Sequence, residues 1–90
     1  MAFVQISRAS EMTQETFDRL MEAWTGGQVL DGMQFLVGGP GNDGAYYVVD
    51  AWDTREQCDA GFDRYNAAVE QLGIDPPSWT LQEFEIQKSM

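Results

Sequence analysis

Hydrophobic positions along this chain repeat with a period of two in some stretches and near 3.6 in others. Each change of period marks the boundary of an element. The clearest stretch is residues 44–73, GAYYVVDAW followed by DTREQCDAGFDRYNAAVEQLG. Its first part predicts a strand, with Tyr46, Val48, Asp50 and Trp52 on one face and Tyr47, Val49 and Ala51 on the other. Thr54 is a suitable N-cap, and Gln57 three positions later completes a capping-box pattern. Cys58, Phe62, Tyr65, Val69 and Leu72 then recur at helical spacing until Gly73 and Pro76 end the helix.

The flanking segments match this unit. Residues 2–8 predict a first strand, with Phe3, Gln5 and Ser7 on one side and Val4 and Ile6 on the other. Ser10 is the expected cap of the next helix, with Glu11 in its first turn. That helix carries Thr13, Phe17, Leu20, Met21 and Trp24 on one face and stops at Gly26 and Gly27. VLDGMQFLVGG reads as a second strand, in which simple alternation sets Met33, Phe35 and Val37 opposite Gln34 and Leu36, and Gly32 suggests a bulge or bend. GGPGNDG, residues 38–44, reads as the loop of an antiparallel hairpin. It lacks the spacing of a phosphate-binding glycine loop. IDPPSW is a rigid connection, with Trp79 packing the lead-in to the last strand, TLQEFEIQ.

The resulting order, β-α-β-β-α-β, predicts a ferredoxin-like α+β fold over residues 1–90 as one domain. Right-handed crossovers place both helices on one face of a four-stranded antiparallel sheet. The third strand is nonetheless apolar or aromatic on both sides, and Val4 and Ile6 add to the side the helices leave bare. Such a face predicts a partner, and a homodimer with two sheets face to face is the simplest one. RNA-recognition domains share this strand order and stack bases on sheet aromatics. GAYYVV, however, lacks their preceding basic residue, and the charge has the wrong sign.

Charge narrows the classes further. Fifteen acidic residues against five basic ones give a formal charge of −10, which repels nucleic acid and anionic membranes. No run approaches membrane-spanning length and no secretory signal is visible, so a cytoplasmic location is expected. The single cysteine, Cys58, lies on the helical stripe and reads as a small buried hydrophobe. Histidine is absent, which removes the commonest general base and the commonest metal or haem ligand.

FVQISR, the DGM of the second strand and VVDAW followed by Thr-Arg-Glu resemble the antibiotic-biosynthesis-monooxygenase family of dimeric α/β-barrel proteins. The resemblance spans nearly the whole chain. It implies two sheets pairing into a shared barrel, with a ligand pocket between helices and sheet in each subunit. The family includes quinone-forming oxygenases, haem-degrading enzymes and proteins of no known activity. The haem-degrading branch is similar at Trp52, but it has an asparagine where this chain has Ser7. It also holds the iron with a second-helix histidine that is missing here, and Tyr65 and Cys58, on an apolar stripe, favour core packing over replacing it. No cofactor or metal is therefore expected.

In a cofactor-free oxygenase of this type the substrate is a phenol or anthrone that ionises and reacts with oxygen itself. Such a site needs an apolar slot and a few polar groups. Trp24, Phe35, Trp52, Phe62 and Tyr65 are candidates for the slot, and Gln5, Ser7, Tyr46 and Asp50 for the polar groups on the same side as Trp52. Each aromatic also reads as ordinary core. Asp50, an acid within an apolar strand, is either a base with a raised pKa, a partner of Arg8 or Arg64, or a residue at the wet end of the sheet. The expected function is a small dimer that binds or oxidises an aromatic or polyketide-like molecule. The competing class is a non-enzymatic dimeric binding or assembly module. A cavity lined by Gln5, Ser7 and Asp50 favours the first, and a fully packed space under Trp52 favours the second.

Overall fold

The computed structural model describes residues 2–88. Strand β1 (Phe3–Ala9) leads to helix α1 (Gln14–Thr25), and strands β2 (Met33–Pro40) and β3 (Tyr46–Trp52) form the central hairpin. Helix α2 (Arg55–Leu72) then crosses back to strand β4 (Thr80–Glu85). The sheet is antiparallel in the order β2-β3-β1-β4, so the chain has the ferredoxin-like α+β fold that the periodicity predicts.

Local chemistry accounts for the helix boundaries. Thr54 caps α2 as expected, its hydroxyl oxygen accepting from the Gln57 backbone N–H at 3.1 Å. The cap of α1 is Thr13, not Ser10, and the acidic residue of the first turn is Glu15, not Glu11. Met12 explains the shift. It is buried in the same cluster as Phe17, and this pair flanking Thr13 forms a hydrophobic staple that starts the helix three residues later than expected. Gly26 and Gly73 close the helices in the left-handed conformation, at φ 64° and 66°.

The hairpin departs from expectation in two ways. Strand β2 runs on through Gly38, Gly39 and Pro40, and the turn is confined to residues 41–45, where the Gly41 N–H donates to the Ala45 carbonyl at 2.7 Å. Pro40 is tolerated because β2 is an edge strand. The second is the loss of simple alternation, caused by a bulge between Met33 and Phe35, beside the Gly32 that suggests a bulge or bend. Met33 pairs with Trp52 and Phe35 with Ala51, so the two no longer share a face. Met33 and Leu36 point towards the helices, while Phe35 and Val37 point away from them.

The two faces of the sheet therefore differ. Phe3, Ser7, Ala9, Tyr46, Val48, Asp50 and Trp52 are buried beneath α1 and α2. Two clusters fill this layer, one around Phe17, Leu20, Tyr46, Tyr65 and Val69 and one around Phe3, Leu30, Met33, Trp52 and Cys58. The other face carries Val4, Ile6, Phe35, Val37, Val49 and Phe84, and no helix covers it; Phe35 is 44%, Phe84 50% and Val37 57% exposed. Among the described residues no helix is long and apolar enough to cross a membrane.

Candidate functional site

Register brings the polar residues of β1 and β3 together. Gln5 lies directly opposite Asp50 and Ser7 opposite Val48, both on the helix-covered face, while Glu83 of β4 flanks Gln5 on its other side. Asp50 is only 2% exposed. Its Oδ2 accepts from the indole N–H of Trp52, two residues on along the same face. Burial dominates its electrostatics and lifts the carboxyl from 3.8 to about 6. The indole bond opposes that rise, and the charge of Glu83 adds to it. Arg8 is not its partner: that guanidinium engages Asp43 at 3.1 Å and the Tyr47 hydroxyl on the open side.

The aromatic wall is organised by Gly61 of α2. A side chain there would overlap the ring of Trp52, so the missing Cβ lets the indole lie flush against the helix. The Gly61 carbonyl also accepts from the Trp24 indole N–H at 2.9 Å, which ties α1 to α2. The Trp24 ring meets Tyr65 edge-on, with centroids 5.5 Å apart, and Phe62 stacks on Tyr65 at 5.9 Å. Trp79 completes the ring, donating its indole N–H to the Tyr65 hydroxyl at 2.7 Å.

Between this wall and the sheet lies a cavity of about 40 Å³, lined by Gln5, Ser7, Phe17, Trp24, Val48, Asp50, Trp52, Cys58, Phe62, Tyr65, Trp79 and Leu81. That volume holds a few waters, well short of the several hundred cubic ångströms of a drug-sized pocket. A groove of 310 Å³ between α2 and β4 adjoins it and shares Gln5, Cys58, Phe62 and Leu81. Arg55, Asp59, Asp63 and Glu83 edge that groove.

Seven of the candidates named from the sequence thus converge: Gln5, Ser7, Trp24, Asp50, Trp52, Phe62 and Tyr65. Two do not. The β2 bulge sends Phe35 to the open face of the sheet. Tyr46 is buried on the correct face but sits further along β3, where its ring lies tilted against Phe17, with centroids 4.8 Å apart, and its hydroxyl donates to the Gln14 side chain at 3.1 Å. Trp79, expected only to pack the start of β4, is a cavity wall. Gly61 was not singled out at all, although a glycine within the apolar stripe of a long helix costs about 1 kcal/mol relative to alanine and so asks for a packing reason. Arg64 is exposed and lies outside the lining. Cys58 is buried as expected, and its thiol is pushed up to about 12 by desolvation and by the neighbouring Asp50, so it is a poor nucleophile. Among the described residues no cluster of side chains could hold a metal ion.

No protein-family model and no curated protein matches the chain. Solved structures do. A candidate antibiotic biosynthesis monooxygenase from Chloroflexus aurantiacus superposes with a TM-score of 0.66 at 15% identity, over 100% of this chain and 97% of that one. SnoaB, a cofactor-independent oxygenase from Streptomyces nogalater, matches in a single-substitution variant at 0.69 with 10% identity, covering 99% and 96%. A dimeric ferredoxin-like protein of unknown function from Thermobifida fusca matches at 0.66 with 13% identity, covering 96% and 92%. At such identities the likeness is one of fold, end to end. The neighbours' activities belong to those proteins.

Proposed function

We propose that this chain forms a homodimer through its open sheet face and takes a neutral aromatic or polyketide-like molecule between α2 and the sheet. There it oxidises the molecule with oxygen and no cofactor. The observation that carries this reading is Asp50: a buried carboxyl, lifted to about 6, facing a cavity walled by aromatic rings. At neutral pH that group is mostly ionised yet poorly solvated, the state of a poised general base. It would take a proton from a phenol hydroxyl or an anthrone methylene. The electron-rich anion then reacts with oxygen, and for an anthrone the net change is CH2 plus O2 giving C=O plus water, which balances without a reductant. Gln5 and Ser7 stand where they can orient the substrate, and the rings of Trp24, Trp52 and Tyr65 would stack on it and exclude water. The cofactor-independent oxygenase among the structural neighbours and the dimeric protein of the same fold support the two halves of the reading.

The small cavity favours a second reading, in which the same fold is a non-enzymatic dimeric binding or assembly module with a nearly filled core. Oxygen uptake with anthrone separates the two. The enzyme reading predicts uptake above the buffer rate that falls at least about a hundredfold in Asp50→Asn. Uptake at the buffer rate for anthrone and for simple naphthols alike would leave the binding module.

A further inference from the structure

Residues 74–79 join α2 to β4 as a strap. Outside the strand ladder that begins at Thr80, and among the described residues, its backbone makes no backbone hydrogen bond. Its near end is a left-handed glycine, Gly73, with φ 66°. Pro76 and Pro77 fix the backbone of its middle. Two side chains hold it to the core: Ile74, beside the hinge, and Trp79, at the far end. Trp79 alone is tied by a hydrogen bond, its indole N–H on the Tyr65 hydroxyl at 2.7 Å.

The strap also has space on either side. Inside is the 40 Å³ cavity that Trp79 walls. Beyond it is a groove of 520 Å³ between Ile74, Asp75 and Pro77 of the strap, Ser10 and Glu11 of the β1–α1 turn, and Thr16 of α1. A segment without backbone bonds, hinged at a glycine and standing over an open groove, is held by its side-chain contacts.

We infer that the Trp79–Tyr65 hydrogen bond is a latch, that its release lets the strap swing into the groove, and that Trp79 thereby sets the size of ligand the cavity admits. This rests on the ligand-binding reading of the cavity. Closed, the site takes a single small apolar group; open, the space vacated by the indole joins the cavity to the groove and accommodates fused rings. Ring stacking on Tyr65 then replaces the indole contact that opening gives up.

The test uses the full chain and two apolar probes. Xenon fits the closed cavity, and N-phenyl-1-naphthylamine does not. Trp79→Phe keeps a ring and loses the donor, and Tyr65→Phe keeps a ring and loses the acceptor. Either variant should bind the naphthylamine more tightly by up to about tenfold, the ratio that one hydrogen bond supplies, and should gain more for it than for xenon. The double variant should gain no more than either single one. In Tyr65→Phe the Trp79 indole N–H should exchange faster by a similar factor, while the amides of α2 and β3 stay protected. Equal changes for both probes, an unchanged naphthylamine affinity beside normal xenon binding, or exchange quickening across α2 would each overturn the latch and leave the cavity's ligand role standing. Failure of every variant to bind either probe would overturn the ligand reading itself, and the latch with it.

Discussion

Strand β3 serves two faces of one sheet that have opposite characters. Towards the helices it presents Asp50, which lies opposite Gln5, in a layer that is otherwise closed to solvent. Away from them it presents Val49 among Ile6, Phe35, Val37 and Phe84, a surface with nothing polar at its centre and three large side chains about half exposed. A lone globular domain has the reverse arrangement, with polar groups in water and apolar ones inside. On the proposed function the inversion divides the work: the inner layer tolerates buried polarity because it would supply the chemistry, and the outer face tolerates exposed hydrophobicity because a second sheet would cover it.

The strongest perturbation of this contrast is a charge on the outer face. Val49→Asp should weaken dimerisation by at least about a thousandfold, because an uncompensated carboxylate would enter an apolar interface. Sedimentation equilibrium would show monomer or aggregate, and a variant that stays dimeric would move the contact elsewhere. On the inner side, Gly61→Ala sets two effects against each other. Alanine gains about 1 kcal/mol of helix propensity. Its Cβ overlaps a Trp52 ring that is held by Asp50 and cannot retreat, an overpacking worth about 3 kcal/mol, so the variant should lose stability on denaturant melts.

Asp50→Asn should act in the opposite direction. The folded pKa of about 6 exceeds the ordinary 3.8, so the fold favours the protonated acid. The stability from that preference is complete below about pH 4 and is lost as pH rises through 6. Asparagine keeps an acceptor for the Trp52 N–H and removes the buried charge. At pH 7 it should therefore gain about 2–3 kcal/mol, and the fall in stability between pH 4 and 6 should flatten. Turnover, in contrast, should vanish. A smaller effect is expected for Trp52→Phe, which should lose about 1–2 kcal/mol from a shallow cavity and lose ligand affinity through the missing wall. Loss of stability with unchanged affinity would take Trp52 out of the site.

How much of this was legible in the sequence varies by residue. Strict alternation placed Gln5, Ser7, Asp50 and Trp52 on one face because β1 and β3 are central, regular strands. The same rule failed for Phe35, since one bulged residue in an edge strand reverses every side chain after it; Gly32 signalled a bulge or bend nearby but not which side chains it would turn. The place of Trp79 in the cavity wall was not legible for a different reason. It lies outside any periodic element, so only the path of the strap brings it to Tyr65, and sequence spacing carries no trace of that path. Thr13 was recoverable, because Met12 and Phe17 around it already spell a staple.

The contrast between the faces is tested most directly by mapping where an aromatic ligand binds. Side-chain NMR shifts during titration with 1-naphthol should move Gln5, Trp24, Trp52 and Tyr65, and should displace the Asp50 carboxyl titration from its value near 6. Shifts confined to Phe35, Val37, Val49 and Phe84, with the Asp50 titration unmoved, would place the ligand on the open face and contradict the account.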